Sequence, residues 1–249
     1  MKTKSLNAEL LTGQTGVRIT GVNISEIRED QVLELKQLVS EYCVGVFPDQ
    51  SLSPDEQLRF VERLDPLTFT PGEQRHSQWP HLNVVSLSST STLPPINGFH
   101  TDTSFVPRPP SYTTLLPKKL SSHGGETVFV NQYMAYEALS PVMQRMLRGL
   151  RFRHNAAQLK NVDEAPNEPV WHPAVRMHPI TGRKAIYITQ PNRCSEVEGM
   201  NPKESKHLLE FLYAHCQHIY AMYRHRWQPN DFVVWDLTLI HISEPPRPY

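Results

Sequence analysis

Cysteine is scarce in this chain, with three thiols among 249 residues, Cys43, Cys194 and Cys216. The number is odd, the spacing is wide and no CxxC pair occurs, so neither a disulfide framework nor a thiolate zinc site is indicated. Such usage points to a reducing, cytoplasmic setting. An excess of charge is also missing: Lys plus Arg and Asp plus Glu each number 25, for a formal net charge of zero. Nucleic-acid and anionic-membrane partners rely on a basic excess, so neither is expected. No apolar run approaches the roughly 20 residues needed to cross a bilayer. The lysines of Met-Lys-Thr-Lys at the start are not followed by the apolar stretch of a secretory signal. No internal repeat or low-complexity linker interrupts the chain. Its length suits a single domain, residues 1–249, with a sizeable core.

What the sequence does have is histidine and proline, 12 and 22 residues respectively. These supply many potential ligands and many interrupted segments. Val32, Leu35, Leu38, Val39 and Tyr42 recur at helical spacing over residues 30–42. Ser53-Pro54-Asp55-Glu56 is a helix start: the serine caps, proline suits the first turn and Glu56 closes a capping box. Asn201-Pro202 opens a further helix whose apolar face holds Leu208, Leu209, Phe211 and Leu212. Short strands are expected at 17–20, 43–47, 82–87, 111–116, 126–130, 150–154, 172–177, 184–189 and 231–235. The aperiodic, polar stretch 155–170 is long enough for a lid or binding loop. Many short strands with a few helices suggest an α+β, mainly β architecture: a sandwich or jelly roll buttressed by helices.

The sharpest local feature is Gly98-Phe99-His100-Thr101-Asp102. In an extended segment His100 and Asp102 leave the same face. There they could fill two adjacent positions on a divalent metal, as in the 2-His-1-carboxylate facial triad. Alone, such a pair is a weak signal, since chance or a plain His–Asp hydrogen bond explains most of them. Phe99 reads as a wall of the site or as ordinary core, and His172 and His178, on an expected hairpin, read as structural.

The surroundings add to this. Ser122-His123-Gly124-Gly125-Glu126-Thr127 leads into a strand, and Trp171-His172-Pro173-Ala174-Val175-Arg176-Met177-His178-Pro179 follows. Thr181-Gly182-Arg183-Lys184 and Trp227-Gln228-Pro229-Asn230-Asp231 come next, before Val233-Val234-Trp235-Asp236. In this order, from about residue 10 to Asp236 and including Phe47-Pro48-Asp49-Gln50, the chain resembles the taurine/2,4-dichlorophenoxyacetate dioxygenase family. The resemblance implies a double-stranded β-helix with Fe(II) at its open end. It also implies 2-oxoglutarate as cosubstrate with O2, and hydroxylation of a small organic acid with release of succinate and CO2. His100 and Asp102 would be the first two iron ligands and the catalytic centre. Thr127 would hydrogen-bond the distal carboxylate of 2-oxoglutarate; its plain alternative is a β-branched strand residue chosen for packing. A homodimer or larger assembly is consistent with the family.

The resemblance stops after Trp235-Asp236. The family continues with a histidine seven positions past the tryptophan, the third iron ligand, and later an arginine for the 2-oxoglutarate carboxylate. Here His241 falls six positions past Trp235, and Arg247 only six beyond His241. On a strand, a one-residue slip turns a side chain to the opposite face. Two readings follow. Residues 237–249 are a foreign ending on a truncated chain whose last strand is incomplete, or His241 and Arg247 are working substitutes reached through a bulge and a tight turn. Thr70 stands where the taurine enzyme has a histidine, so a taurine preference is not supported. Phe69, Thr103 and Phe105 would accept many small organic acids. The alternative to an active dioxygenase is an inactive fragment or pseudoenzyme that keeps the fold; a zinc hydrolase using His100 and Asp102 finds no HExxH motif to support it.

Overall fold

The computed structural model describes residues 5–68, 76–85, 98–156 and 170–243. The chain begins with β1 (Asn7–Leu10) and β2 (Val17–Thr20), then α1 (Glu29–Tyr42), β3 (Val44–Phe47) and α2 (Pro54–Leu64). Next come β4 (Tyr112–Leu115), β5 (Thr127–Asn131), α3 (Gln132–Glu137), α4 (Pro141–Leu147), β6 (Arg151–His154) and β7 (Val170–Pro173). The last part holds β8 (Val175–Met177), β9 (Lys184–Ile186), β10 (Cys194–Val197), α5 (Pro202–His215), β11 (Met222–His225), β12 (Phe232–Asp236) and β13 (Ile240–Ser243).

The helices form where the sequence signals them. In α1, Val32, Leu35 and Val39 are fully buried, the stripe that a period of 3.6 produces. Helix α2 starts on a closed capping box: the Ser53 hydroxyl accepts from the Glu56 N–H, and Glu56 accepts from the Ser53 N–H at 2.8 Å. Helix α5 repeats the device with Asn201 and Glu204. Asn131 caps α3, accepting from Tyr133 and Met134.

The strands build a five-stranded sheet in the order β1-β2-β3-β12-β4 and three-stranded sheets β11-β5-β13 and β10-β6-β7, with β8 and β9 as a separate pair. β12 pairs with β3 and β4 on its two edges and is buried at every position because Phe232 and Val234 face one core while Val233 and Trp235 face another. One core packs α1 and α2 on the first sheet through Val32, Leu35, Phe60 and Phe232. A second joins Val44, Val46 and Trp235 to Phe129, Ile240 and Ile242 of the β5-β13 layer. A third holds α5, through Leu209 and Leu212, against Phe152 and Ile186.

Three expected strands differ. Residues 82–85 carry only an isolated bridge at Asn83, and 86–87 lie outside the described residues. The expected strand 172–177 is two, β7 and β8, broken at Ala174. Proline at 173 brings no ladder N–H, the Ala174 N–H turns to Leu150, and the chain passes from β6 to β9 as its partner. The 184–189 strand leaves its ladder after Ile186. Of the expected loop 155–170, residues 157–169 lie outside the described residues, and Val170 already belongs to β7. The ending is not wholly irregular either: residues 240–243 form β13, registered on β5 with His241 opposite Val130.

Candidate metal centre

The segment carrying His100 crosses the end of β13. The His100 N–H donates to the Ile242 carbonyl at 2.9 Å and the Ile242 N–H returns to the His100 carbonyl at 2.8 Å, one antiparallel bridge. Thr101 fastens the other side, its hydroxyl donating to the carbonyls of Ile188 at 3.1 Å and Ile240 at 3.3 Å. The chain then turns sharply, with Thr103 at φ 53°. His100 Nε2 and Asp102 Oδ1 stand 3.1 Å apart. The histidine side chain is 5% exposed and the aspartate 22%, so the carboxylate forms the solvent-side lip of the pair.

His100 Nδ1 lies 3.1 Å from the Gly98 carbonyl, to which it donates as N–H. In the neutral ring this leaves the Nε2 lone pair facing a carboxylate oxygen. Two electron-rich atoms at that distance call for a proton or a cation between them. Burial works to lower the His100 pKa, but the facing Asp102 carboxylate more than offsets it and the net shift is upward. A backbone carbonyl that fixes the far nitrogen is also the usual support of a metal-binding histidine. The pair therefore fits two adjacent positions on a divalent metal.

The third sequence-derived ligand is not brought to them. His241 is wholly buried, and its Nε2–H donates to the Ile188 carbonyl, the same oxygen that Thr101 uses. Thr101 follows His100 and His241 precedes Ile242, so one rung of the bridge has both side chains on the Ile188 side. The other rung, His100 and Ile242, faces oppositely. The position seven past Trp235 is Ile242, 4% exposed and packed with the Phe129 and Trp235 core. Among the described residues no three His, Cys, Asp or Glu side chains converge as a metal-binding group. Burial, joined by the nearby His100 and opposed by the Ile188 carbonyl, holds the His241 pKa down at about 4.

Thr127, at the start of β5, is 1% exposed and accepts the Trp227 indole N–H at 3.0 Å, while its hydroxyl keeps a proton to donate. His172 and His178 are tied to protein groups: His172 Nε2 to the Ser104 carbonyl at 2.8 Å, His178 Nε2 to Asp236 at 3.0 Å. Phe105 is buried and Phe99 half-buried. Phe69, Thr70 and Arg247 lie outside the described residues. One residue escaped the sequence reading. Arg193, 9% exposed, sits in the loop before β10, and its charge acts on both Asp102 and His100. No periodicity or motif in Gln190-Pro191-Asn192-Arg193 marks it.

The family model described as taurine catabolism dioxygenase TauD, TfdA family matches residues 7–241. The chain belongs to this family. Members use Fe(II), 2-oxoglutarate and O2, and the family places the chain among the oxidoreductases. The chain is similar to the alpha-ketoglutarate-dependent 2,4-dichlorophenoxyacetate dioxygenase of Cupriavidus pinatubonensis, 31% identical over 87% of this chain and 85% of that protein. It is similar also to the (S)-phenoxypropionate/alpha-ketoglutarate-dioxygenase of Sphingobium herbicidovorans, 28% identical over 92% and 86%. The crystal structure of a taurine dioxygenase from Burkholderia xenovorans superposes with a TM-score of 0.85 at 25% identity, covering 98% of this chain and 84% of that one. The jelly-roll expectation is thereby met. Among the described residues no helix is long and apolar enough to cross a membrane.

Proposed function

We propose that this family member hydroxylates a small organic acid at the expense of 2-oxoglutarate and O2, releasing succinate and CO2, with Fe(II) bound by His100 and Asp102. The observation that carries the reading is the convergence of those two side chains at 3.1 Å, inside a family match that runs from residue 7 to residue 241. Bound there, iron would supply the oxidative chemistry. The chain's own residues orient and enclose. His100 is held by Gly98 and by its bridge to β13. The buried Thr127 hydroxyl would donate to the distal carboxylate of 2-oxoglutarate. Arg193, largely buried beside Asp102, gives an anionic substrate group a partner where low polarity strengthens charge pairing. Two relatives are named for carboxylic acids, 2,4-dichlorophenoxyacetate and phenoxypropionate, which supports an organic acid as substrate.

The test is succinate formation from 2-oxoglutarate with a panel of aryloxyalkanoic acids, with and without Fe(II). Turnover that requires Fe(II) and disappears in His100→Ala is the expected result. Unchanged turnover in that variant overturns the assignment.

A further inference from the structure

We infer that, among the described residues, this chain offers its metal two protein donors, with Ile242 occupying the place from which a third would come. The inference deepens the proposed function and rests on it.

The bridge between His100 and Ile242 carries both reciprocal hydrogen bonds, at 2.9 and 2.8 Å. In such a pair the Cα atoms stand about 5.5 Å apart and the two side chains leave the same face. No other residue of β13 is so placed. A donor at 242 would reach the space in front of His100 Nε2; an isoleucine presents only hydrocarbon there. His241 cannot substitute by a change of rotamer. It belongs to the opposite face, its Nε2–H is committed to the Ile188 carbonyl, and it is fully enclosed. Bringing it round would shift β13 by one residue. Ile240 and Ile242 would then leave the core they share with Phe129 and Trp235.

The site is therefore a His–Asp pair backed by an apolar wall. Remaining coordination positions on a metal fall to small molecules, and protein-only affinity is weak. Placing a donor at 242 should strengthen it, whereas removing the imidazole at 241 should not weaken it.

The experiment titrates Co(II) into the purified full chain, read by calorimetry and by the visible d–d absorption of the bound ion. Thermal melts are run on every variant. Expected are binding lost in His100→Ala, a change under about twofold in His241→Ala, and at least about tenfold tighter binding in Ile242→His with altered d–d bands. Ile242→Asp, which puts a carboxylate at the same point, serves if the histidine variant does not fold, and the same tightening is expected. The inference is overturned if His241→Ala loses Co(II) as fully as His100→Ala. It is equally overturned if folded Ile242→His or Ile242→Asp gains nothing. Loss of the proposed function has a separate signature, in which His100→Ala binds Co(II) as the parent does.

Discussion

His178 and Asp236 meet at 3.0 Å, with side chains 3% and 1% exposed, and join the turn after β8 to the end of β12. The direction of the hydrogen bond is fixed locally. His178 Nδ1 accepts the N–H groups of Ile180 and Thr181, so Nε2 carries the proton and donates to the carboxylate. Asp236 accepts as well from the Thr238 N–H and hydroxyl, at 2.9 and 2.6 Å. Asp236→Ala would leave a buried N–H without its acceptor and loosen the turn into β13. A loss of about 3 kcal/mol is expected, against about 1 kcal/mol for Asp236→Asn, which keeps one acceptor. Urea unfolding checks this: the midpoint should fall while the slope stays constant.

Acid should destabilise the fold before its carboxylates titrate fully. The His241 pKa is held at about 4 by burial, against about 6.5 in an unfolded chain. Above pH 6.5 neither state is protonated and the stability contribution is complete. Between 6.5 and 4 the unfolded chain takes up a proton that the folded one refuses, so stability falls. The integrated loss is about 3 kcal/mol. His172, also held near 4, adds in the same direction. His241→Gln keeps a donor for the Ile188 carbonyl and cannot titrate. Its urea midpoint should decline less steeply from pH 6.5 to 4, and a slope equal to that of the parent would refute the assignment.

Arg176 sets the protonation of a second buried imidazole. Its guanidinium lies 3.5 Å over the Tyr187 ring and donates to His172 Nδ1 at 2.9 Å. Burial first, and then this cation, lower the His172 pKa to about 4. In Arg176→Gln the burial remains and the positive charge goes, so the pKa should rise. The imidazole resonances of His172, followed by NMR against pH, should move their midpoint upward from about 4; no movement would mean that burial acts alone.

Local features were readable from the sequence because their causes are local. The capping box of Ser53 and Glu56 and the stripe Val32, Leu35, Val39 each lie within one helix. The His100–Asp102 pair is two residues apart and needs only a turn. Counting from Trp235 already put His241 out of phase, and the structure turns it to the Ile188 carbonyl. Other elements had no such signal. β1 is exposed at all four positions, so no apolar alternation announces it. β10 slips register between Cys194 and Glu196, which blurs its period. The meeting of His100 with Ile242 joins segments 142 residues apart, and only the packing of β13 on β5 decides it. Arg193 was invisible for the same reason: it comes near His100 and Asp102 through a loop that Thr101 and Thr189 pin.

The three residues Leu237–Leu239 between β12 and β13 act as a counting device. Their ends are fixed, Leu237 on the Ser111 carbonyl and Leu239 on the Gln132 N–H, so their number sets the parity of everything downstream. One extra residue in that connection would move His241 into the place of Ile242, opposite His100, without altering a single side chain. Gain or loss of a ligand can thus be inherited as a change of length, by one in-frame codon, where a comparison of residue types alone would record a histidine still present.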